Sequence, residues 1–576
     1  MHVKHIDIEN YRNIGGCSID FAWPATYIVG ENGLGKTNLL QLINAIFNRS
    51  TLREEDFTDS TLELTVTIEL VLADYEIGLF NDYADSADSH QITIEGVVED
   101  PESEFKFLHK ETGEEISGPL VRRVCYFLLE SFNADSRMLD YSKDRGVGRV
   151  LTRGLTKYQE DCGLSTLDFF DASRLQGLVT YLDSTLQKLT ILTDYGIHAG
   201  VDESESGALG SIVTLTDSNN LHFRYASSGV QYIALAVMQI LESIMKLPKR
   251  KLEQSVFTDA TGSKVLSVIL ALDEPEIHLH PYMQRTLTKY LEGMASGSDD
   301  QFNSLLKEYF DIDSIKAQLI VVTHSPSIVP QDYKKIVRFS FDKQSGLSVK
   351  VGTQMQVQSR EETRLVALFD TVKEALFSRS VIVVEGESEQ MSLPGFAEKL
   401  GFDLDARGIV VVNSRGKNSV PGVCKLLREF GLPVYSIVDR DEKKANVSGN
   451  DRTTNERDFE AEVIEAVFNS SCQDLFIKIL EQCESCGRSK LLQADQLANS
   501  TKNYLSKQFA NYKFVDMDFT GSRFDDKFAD DPLTRLMMYS WMSSQKGILF
   551  GRLLGKLLPV NAIPQCYSSL IKAVII

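Results

Sequence analysis

One stretch near the start constrains this chain more than any other: TYIVGENGLGKTNLLQLINAIF. The β-branched, apolar run YIVG reads as a short buried strand, and NLLQLINAIF repeats its apolar residues at helical spacing. Between them lies Gly30-x4-Gly35-Lys36-Thr37, with Asn32 and Gly33 inside the loop and Asn38 just behind it. Glycines let the backbone turn so that several N–H groups face a β-phosphate, Lys36 reaches the β/γ oxygens, and Thr37 can hold Mg²⁺. A strand before and a helix after is the context such a loop requires, so a nucleotide-binding α/β unit is expected.

A phosphate cradle alone hydrolyses nothing; it needs a metal-positioning acid at a neighbouring strand end and a base for water. VLSVILALDEPEIHLHP supplies a continuous apolar run suited to a buried parallel strand, followed by two acids. Asp273 is placed to bind Mg²⁺ through water, and Glu274 to polarise the attacking water. AQLIVVTHSP reads as another buried strand, ending in His324, which is placed to sense a γ-phosphate. Between the loop and the acidic strand, FRYASSGVQYIALAVMQIL sets Ser227, Ser228 and Gly229 before a strongly apolar helix. That helix start either presents N–H groups and a positive dipole end to an anion or is simply an N-cap.

A second chemistry begins near residue 380. SVIVVEGESEQMSLPGFAEKL reads as strand, acid-glycine turn and helix, with Glu385 at the strand end and Glu389 four residues on. GIVVVNSRGKNSV gives another strand, then Gly416 and Lys417, and LPVYSIVDRDEKK a third that ends with Asp439 and Asp441. The two-residue spacing puts both aspartates on one face of an extended segment. Carboxylates gathered at the C-terminal edge of a parallel sheet repel one another unless divalent cations sit among them, and hard oxygen ligands select Mg²⁺ or Mn²⁺. Two such ions would suit phosphodiester cleavage.

Composition narrows the setting. At 576 residues the chain is too long for one core. No apolar run reaches the roughly 18 residues that span a bilayer, and MHVKHIDIEN has no signal-peptide core, so no membrane partner and a cytoplasmic location are expected. A net charge of −21 argues against a wholly basic surface that coats nucleic acid, while leaving room for a local basic groove. KLPKRK, Lys246 to Lys251, is the most basic cluster, and a helix-end lysine patch is its simpler reading. The eight cysteines read as reduced thiols, including the close pair Cys483 and Cys486.

Taken in order, the loop at Gly30 to Thr37, Ser227 to Gln231, DEPEIHLHP and His324 resemble the SMC, RecF and Rad50 branch of ABC ATPases. In that branch an arginine at the position of Arg12 approaches the bound ATP, and the signature, here Ser228 and Gly229, closes on the loop of another subunit. The resemblance therefore implies a homodimer or homotetramer. Two features depart from it: VCYFLLESFNADSR shows no Q-loop glutamine, although it carries Arg137, and SSGV lacks the second signature glycine. No heptad segment separates loop and signature. The mixed region there reads as strands and then helices, and its part at about 130–210 is either a dimerisation insertion or a lid.

The acidic series resembles the Toprim fold. An ABC ATPase followed by a Toprim unit resembles the OLD family, which includes the nuclease subunit of the Gabija antiphage system. The implied domains are 1–370, ATPase, and 371–576, Toprim with a C-terminal helical extension. The same resemblance makes Asp458 and Glu460, in ERDFEAEVIEA, further metal ligands, and Lys546, in WMSSQKGILFGRLLGKL, a catalytic lysine. The expected activity is that of an ATP-binding, Mg²⁺- or Mn²⁺-dependent DNA endonuclease or nickase in antiphage defence, with a helicase-like partner among the implied possibilities. A RecF-like repair ATPase whose Toprim unit binds DNA without cutting it is the alternative.

Overall fold

The computed structural model describes residues 1–80, 83–130, 146–164, 172–201, 213–217, 223–342, 346–355, 366, 368–440, 449–484, 535, 538–539, 542 and 545–575. Asp441, Arg137 and Cys486 lie outside the described residues. The chain divides into two compact units, Met1–Met355 and Gln356–Ile576.

In the first unit the strand Ala25–Gly30, buried along its whole length, lies inside a mainly parallel sheet. The sheet runs in the order Val256–Thr258, Lys264–Asp273, Ser314–Val322, Ala25–Gly30, Ile336–Asp342, Gly346–Val351, and Cys125–Leu129 pairs in parallel with Lys264–Asp273. The long apolar runs form these strands because both sheet faces are covered, so nearly every side chain is buried. The start of the chain forms a second, antiparallel sheet: Cys17–Asp20, His2–Glu9, Leu64–Val71, Gln91–Val98, Lys106–His109, Glu115–Ile116. Here one face alone is buried, and the alternation legible in TLELTVTIELVL becomes strict, with every second residue of Leu64–Val71 inside. The helix Lys36–Asn48 packs its apolar stripe into the core that these two sheets share.

The helix Ser228–Lys246 is long and apolar enough, by length and composition, to cross a membrane, but it is mostly buried among the side chains of the other core of this unit. The same core takes Val150 and Leu151 from the helix Gly146–Cys162 and Leu178, Leu182 and Leu186 from Ala172–Leu186. The helical region between loop and signature therefore commits an apolar face to its own unit.

The second unit is built on four parallel strands in the order Ile409–Asn413, Ser380–Val384, Val434–Val438, Asp451–Thr453. Val381 to Val384 are each 0% exposed, and burial of such side chains stabilises by roughly 1.5–3 kcal/mol apiece. Helices Glu387–Lys399, Phe459–Asn469, Gln473–Glu484, Ile548–Leu557 and Gln565–Ile575 contribute most of the rest of the core. In chain order the strands run 2-1-3-4, so the sheet reverses direction of winding between Ser380–Val384 and Val434–Val438. Ligands of open α/β sheets bind outside the carboxyl ends of strands at such a switch point.

Candidate functional sites

In each unit a cavity opens at the carboxyl ends of parallel strands. In the first unit, a cavity of about 210 Å³ is lined by Asn32, Gly33, Gly35, Lys36, Thr37, Asn38, Glu274 and His324. Glycine is required at two points of the loop. A Cβ on Gly30 (φ +137°) would stand 2.1 Å from the carbonyl oxygen of Phe339 on the adjacent strand, and one on Gly35 (φ +92°) 2.4 Å from Ile14. Lys36 Nζ donates to the carbonyls of Gly30 and Glu31 at 3.0 and 2.6 Å. Burial pulls its pKa down to about 8, against the nearby charges of Glu274, Asp273, Glu276 and Glu31. Thr37 Oγ1 donates to Asp273 Oδ1 at 3.2 Å, so a hydroxyl from a helix start and an acid from a strand end meet where a loop-bound Mg²⁺ is held in such folds.

His324 Nε2 stands 3.4 Å from Glu274 Oε1. Burial and then Lys36 hold its pKa below the ordinary histidine value, which keeps the ring neutral at pH 7. The backbone around it is fastened by Glu276, which accepts from His324 N–H at 2.5 Å and Thr323 Oγ1 at 2.9 Å. Glu276 sits within DEPE beside Asp273 and Glu274, and nothing in its spacing marks it for this role.

Arg12, Ser228 and Gly229 do not line this cavity. The Arg12 guanidinium is spent on Asp56, Asn38 and Gln41, and it reaches the cavity wall through Asn38 alone. Ser228 and Gly229 open their helix with Gly229 packed on the His278 carbonyl and Met283.

In the second unit a cavity of about 300 Å³ is lined by Glu385, Gly386, Glu387, Ser388, Glu389, Gly416, Asp439, Phe459, Glu460, Lys546 and Gly547. Glu385 and Asp439 follow the two strands that flank the switch point. They are tied to one another by the backbone: Glu385 Oε1 accepts from Asp439 N–H at 2.7 Å, and Asp439 Oδ1 accepts from Phe459 N–H at 3.0 Å. Glu389, on the first turn of the helix Glu387–Lys399, is turned inward and buried. Asp458 caps the helix Phe459–Asn469 through Ala461 N–H and accepts from the Tyr539 hydroxyl; it borders the acids without lining the cavity. Lys546 Nζ lies 2.8 Å from Glu460 Oε2. Asp441 lies outside the described residues, so its place on a face shared with Asp439 is not part of this geometry.

Charge in this cavity is unbalanced. Burial, followed by the charges of Glu385, Glu460 and Asp458, pushes the Asp439 pKa up to about 8. Burial, followed by Asp439, raises Glu389 well above the usual carboxylate range. Glu460 is raised by burial against the pull of Lys546. Among the described residues no three acidic, histidine or cysteine side chains stand close enough to form a ready-made metal cage. The donor set nonetheless fits a hard divalent cation. Every donor is a carboxylate oxygen, buried Glu460 Oε2 has no hydrogen-bond partner beyond its ion pair with Lys546, and the carboxylates that line the cavity outnumber that one ammonium.

Comparison with known proteins follows the same division. Residues 376–441 match the family described as Overcoming lysogenization defect protein-like, TOPRIM domain, and residues 1–120 and 172–329 match the AAA ATPase domain. The OLD nuclease of Thermus scotoductus is 24% identical over 473 residues, covering 76% of this chain and 82% of that protein. The Old nuclease of Escherichia phage P2 is 21% identical over 292 residues, covering 50% of this chain and 42% of that protein. Among solved structures, the C-terminal region of the Burkholderia pseudomallei OLD protein aligns over 34% of this chain and 98% of its own length, at 18% identity and a TM-score of 0.23.

Proposed function

We propose, from an AAA ATPase match joined to an OLD-like TOPRIM match, that this chain is a divalent-cation-dependent DNA endonuclease or nickase of the OLD type whose ATPase unit governs cutting. The observation that carries the reading is the convergence of Glu385, Glu389, Asp439, Glu460 and Lys546 on one cavity beside a sheet switch point. The family description, Overcoming lysogenization defect protein-like, ties such domains to phage lysogeny, and a role in antiphage defence is proposed on that link.

Glu385 and Asp439 are the first candidates to hold Mg²⁺ or Mn²⁺, with Glu389 and Glu460 beside them and Asp441 and Asp458 as further ligands. A divalent cation bound there would polarise a phosphodiester oxygen and generate hydroxide near neutral pH. The chain's own residues do the remaining work. Glu385 fixes the Asp439 backbone, Phe459 N–H orients the Asp439 carboxylate, and Lys546 offers a positive charge to the extra negative charge of a pentacovalent phosphate. In the first unit Lys36, Thr37 and Asp273 would hold ATP and its Mg²⁺, with Glu274 as the base for water and His324 facing the γ-phosphate.

Incubation of the purified protein with supercoiled plasmid and Mn²⁺ or Mg²⁺ tests the reading. Nicked or linear product is expected, and Glu385→Gln should abolish it while ATP binding is kept; cleavage that persists in that variant would falsify the site assignment. A second reading is a RecF-like ATPase with a non-cutting, DNA-binding Toprim unit, in which Lys546 rather than a cation partners Glu460. It predicts no nicks from the wild-type protein with either metal.

A further inference from the structure

Glu389 reaches the acidic cavity with both oxygens already engaged. Its Oε1 accepts from the Tyr567 hydroxyl at 2.8 Å and its Oε2 from Gly386 N–H at 2.8 Å. Glu389 is 4% exposed and Tyr567 0%. Tyr567 stands on the helix Gln565–Ile575, 178 residues from its partner. Its ring meets Phe459 edge-on, centroids 5.3 Å apart at 79°, and Phe459 is the residue whose N–H holds Asp439. One aromatic side chain thus touches one cavity acid directly and packs against the residue that orients another.

We propose that Tyr567 is a positioning residue for the cation site, fixing the direction of the lone pairs that Glu389 has left to offer; the inference rests on the nuclease reading above. A carboxylate oxygen has two lone pairs, and each Glu389 oxygen has given one to the protein. The terminal torsion of a glutamate is broad, so the hydroxyl is what converts a loosely aimed carboxylate into a directed one. Loss of such an outer partner costs about 10–100-fold in metal affinity. Tyr567→Phe removes the hydroxyl and keeps the ring and its contact with Phe459.

Titration of the full-length protein with Mn²⁺ by calorimetry, together with the Mn²⁺ dependence of plasmid nicking, tests the assignment. Y567F is expected to bind Mn²⁺ about tenfold more weakly. The Mn²⁺ concentration for half-maximal nicking should rise in step, and saturating Mn²⁺ should restore the wild-type plateau. Ser568→Ala, on the same helix with its hydroxyl bonded to Gln565 alone, should leave both curves unchanged. In a Glu389→Ala background the second change Y567F should have no further effect, because the oxygen through which the hydroxyl acts is gone. A Y567F titration that superimposes on wild type, a lost plateau at unchanged affinity, or additive losses in the double variant would each overturn the positioning role. Wild-type protein that takes up no Mn²⁺ defeats the nuclease reading itself, a result separable from these three.

Discussion

Asp439 is the residue on which charge weighs most. Its folded pKa, pushed up to about 8 by burial and then by Glu385, Glu460 and Asp458, lies above the ordinary value of 3.8. A group shifted this way contributes stability that is fully present below its unfolded pKa and is lost as pH rises through its folded one. With divalent cations chelated, the melting temperature should therefore fall from about pH 5 to about pH 9, and fall less in Asp439→Asn. Scanning calorimetry across that range measures the difference, and equal slopes would mean the carboxylate is already ionised in the folded protein. Mn²⁺ should flatten the wild-type slope by replacing the proton as partner. Asp439 and Glu385 were legible in the sequence because an acid directly after an apolar strand has one place to go. Tyr567 was not, since a tyrosine in QCYSSLIKAVI carries no mark of an acid 178 residues away.

Among elements, the pair Glu387–Lys399 and Ile548–Leu557 decides where Lys546 stands. The two helices touch backbone to backbone: a Cβ on Gly551 would lie 2.3 Å from the Ser388 carbonyl, and one on Gly395 2.5 Å from Gly555. Gly547 N–H also donates to Ser388 Oγ at 2.9 Å, one residue after Lys546. Gly551→Ala should force the helices apart, cost about 1–3 kcal/mol in denaturant unfolding, and slow nicking at least tenfold by withdrawing Lys546. Arg552→Ala, exposed on the same helix, should do neither, and parallel behaviour of the two variants would dismiss the contact as the cause. Periodicity revealed these helices but not their closeness. In FGRLLGKL the glycines look only like poor helix formers, and their use becomes visible once Ser388 and Gly395 are opposite them.

At the level of the whole molecule, two units with separate cores carry two cavities, so the proposed nucleotide and cation sites should be separable by mutation. Lys36→Ala should abolish binding of a fluorescent ATP analogue and leave Mn²⁺ uptake unchanged. If the ATPase unit governs cutting, ATP alters the wild-type nicking rate and has no effect on K36A; identical responses in both proteins would remove the governing role. The order of strands, loop and acids was readable because each motif is local, spanning ten or twenty residues. What was unreadable is long-range: Glu276 fastening the His324 backbone, Phe459 holding Asp439, and the tyrosine behind Glu389. That last bond has a consequence for synthesis on the ribosome. Domains fold as units while the chain emerges, and contacts so distant in sequence close late. A nascent chain that has already exposed Glu385 and Glu389 must wait for the helix Gln565–Ile575 before Tyr567 can hold Glu389, so on the nuclease reading a half-made polypeptide carries acids that are not yet aimed.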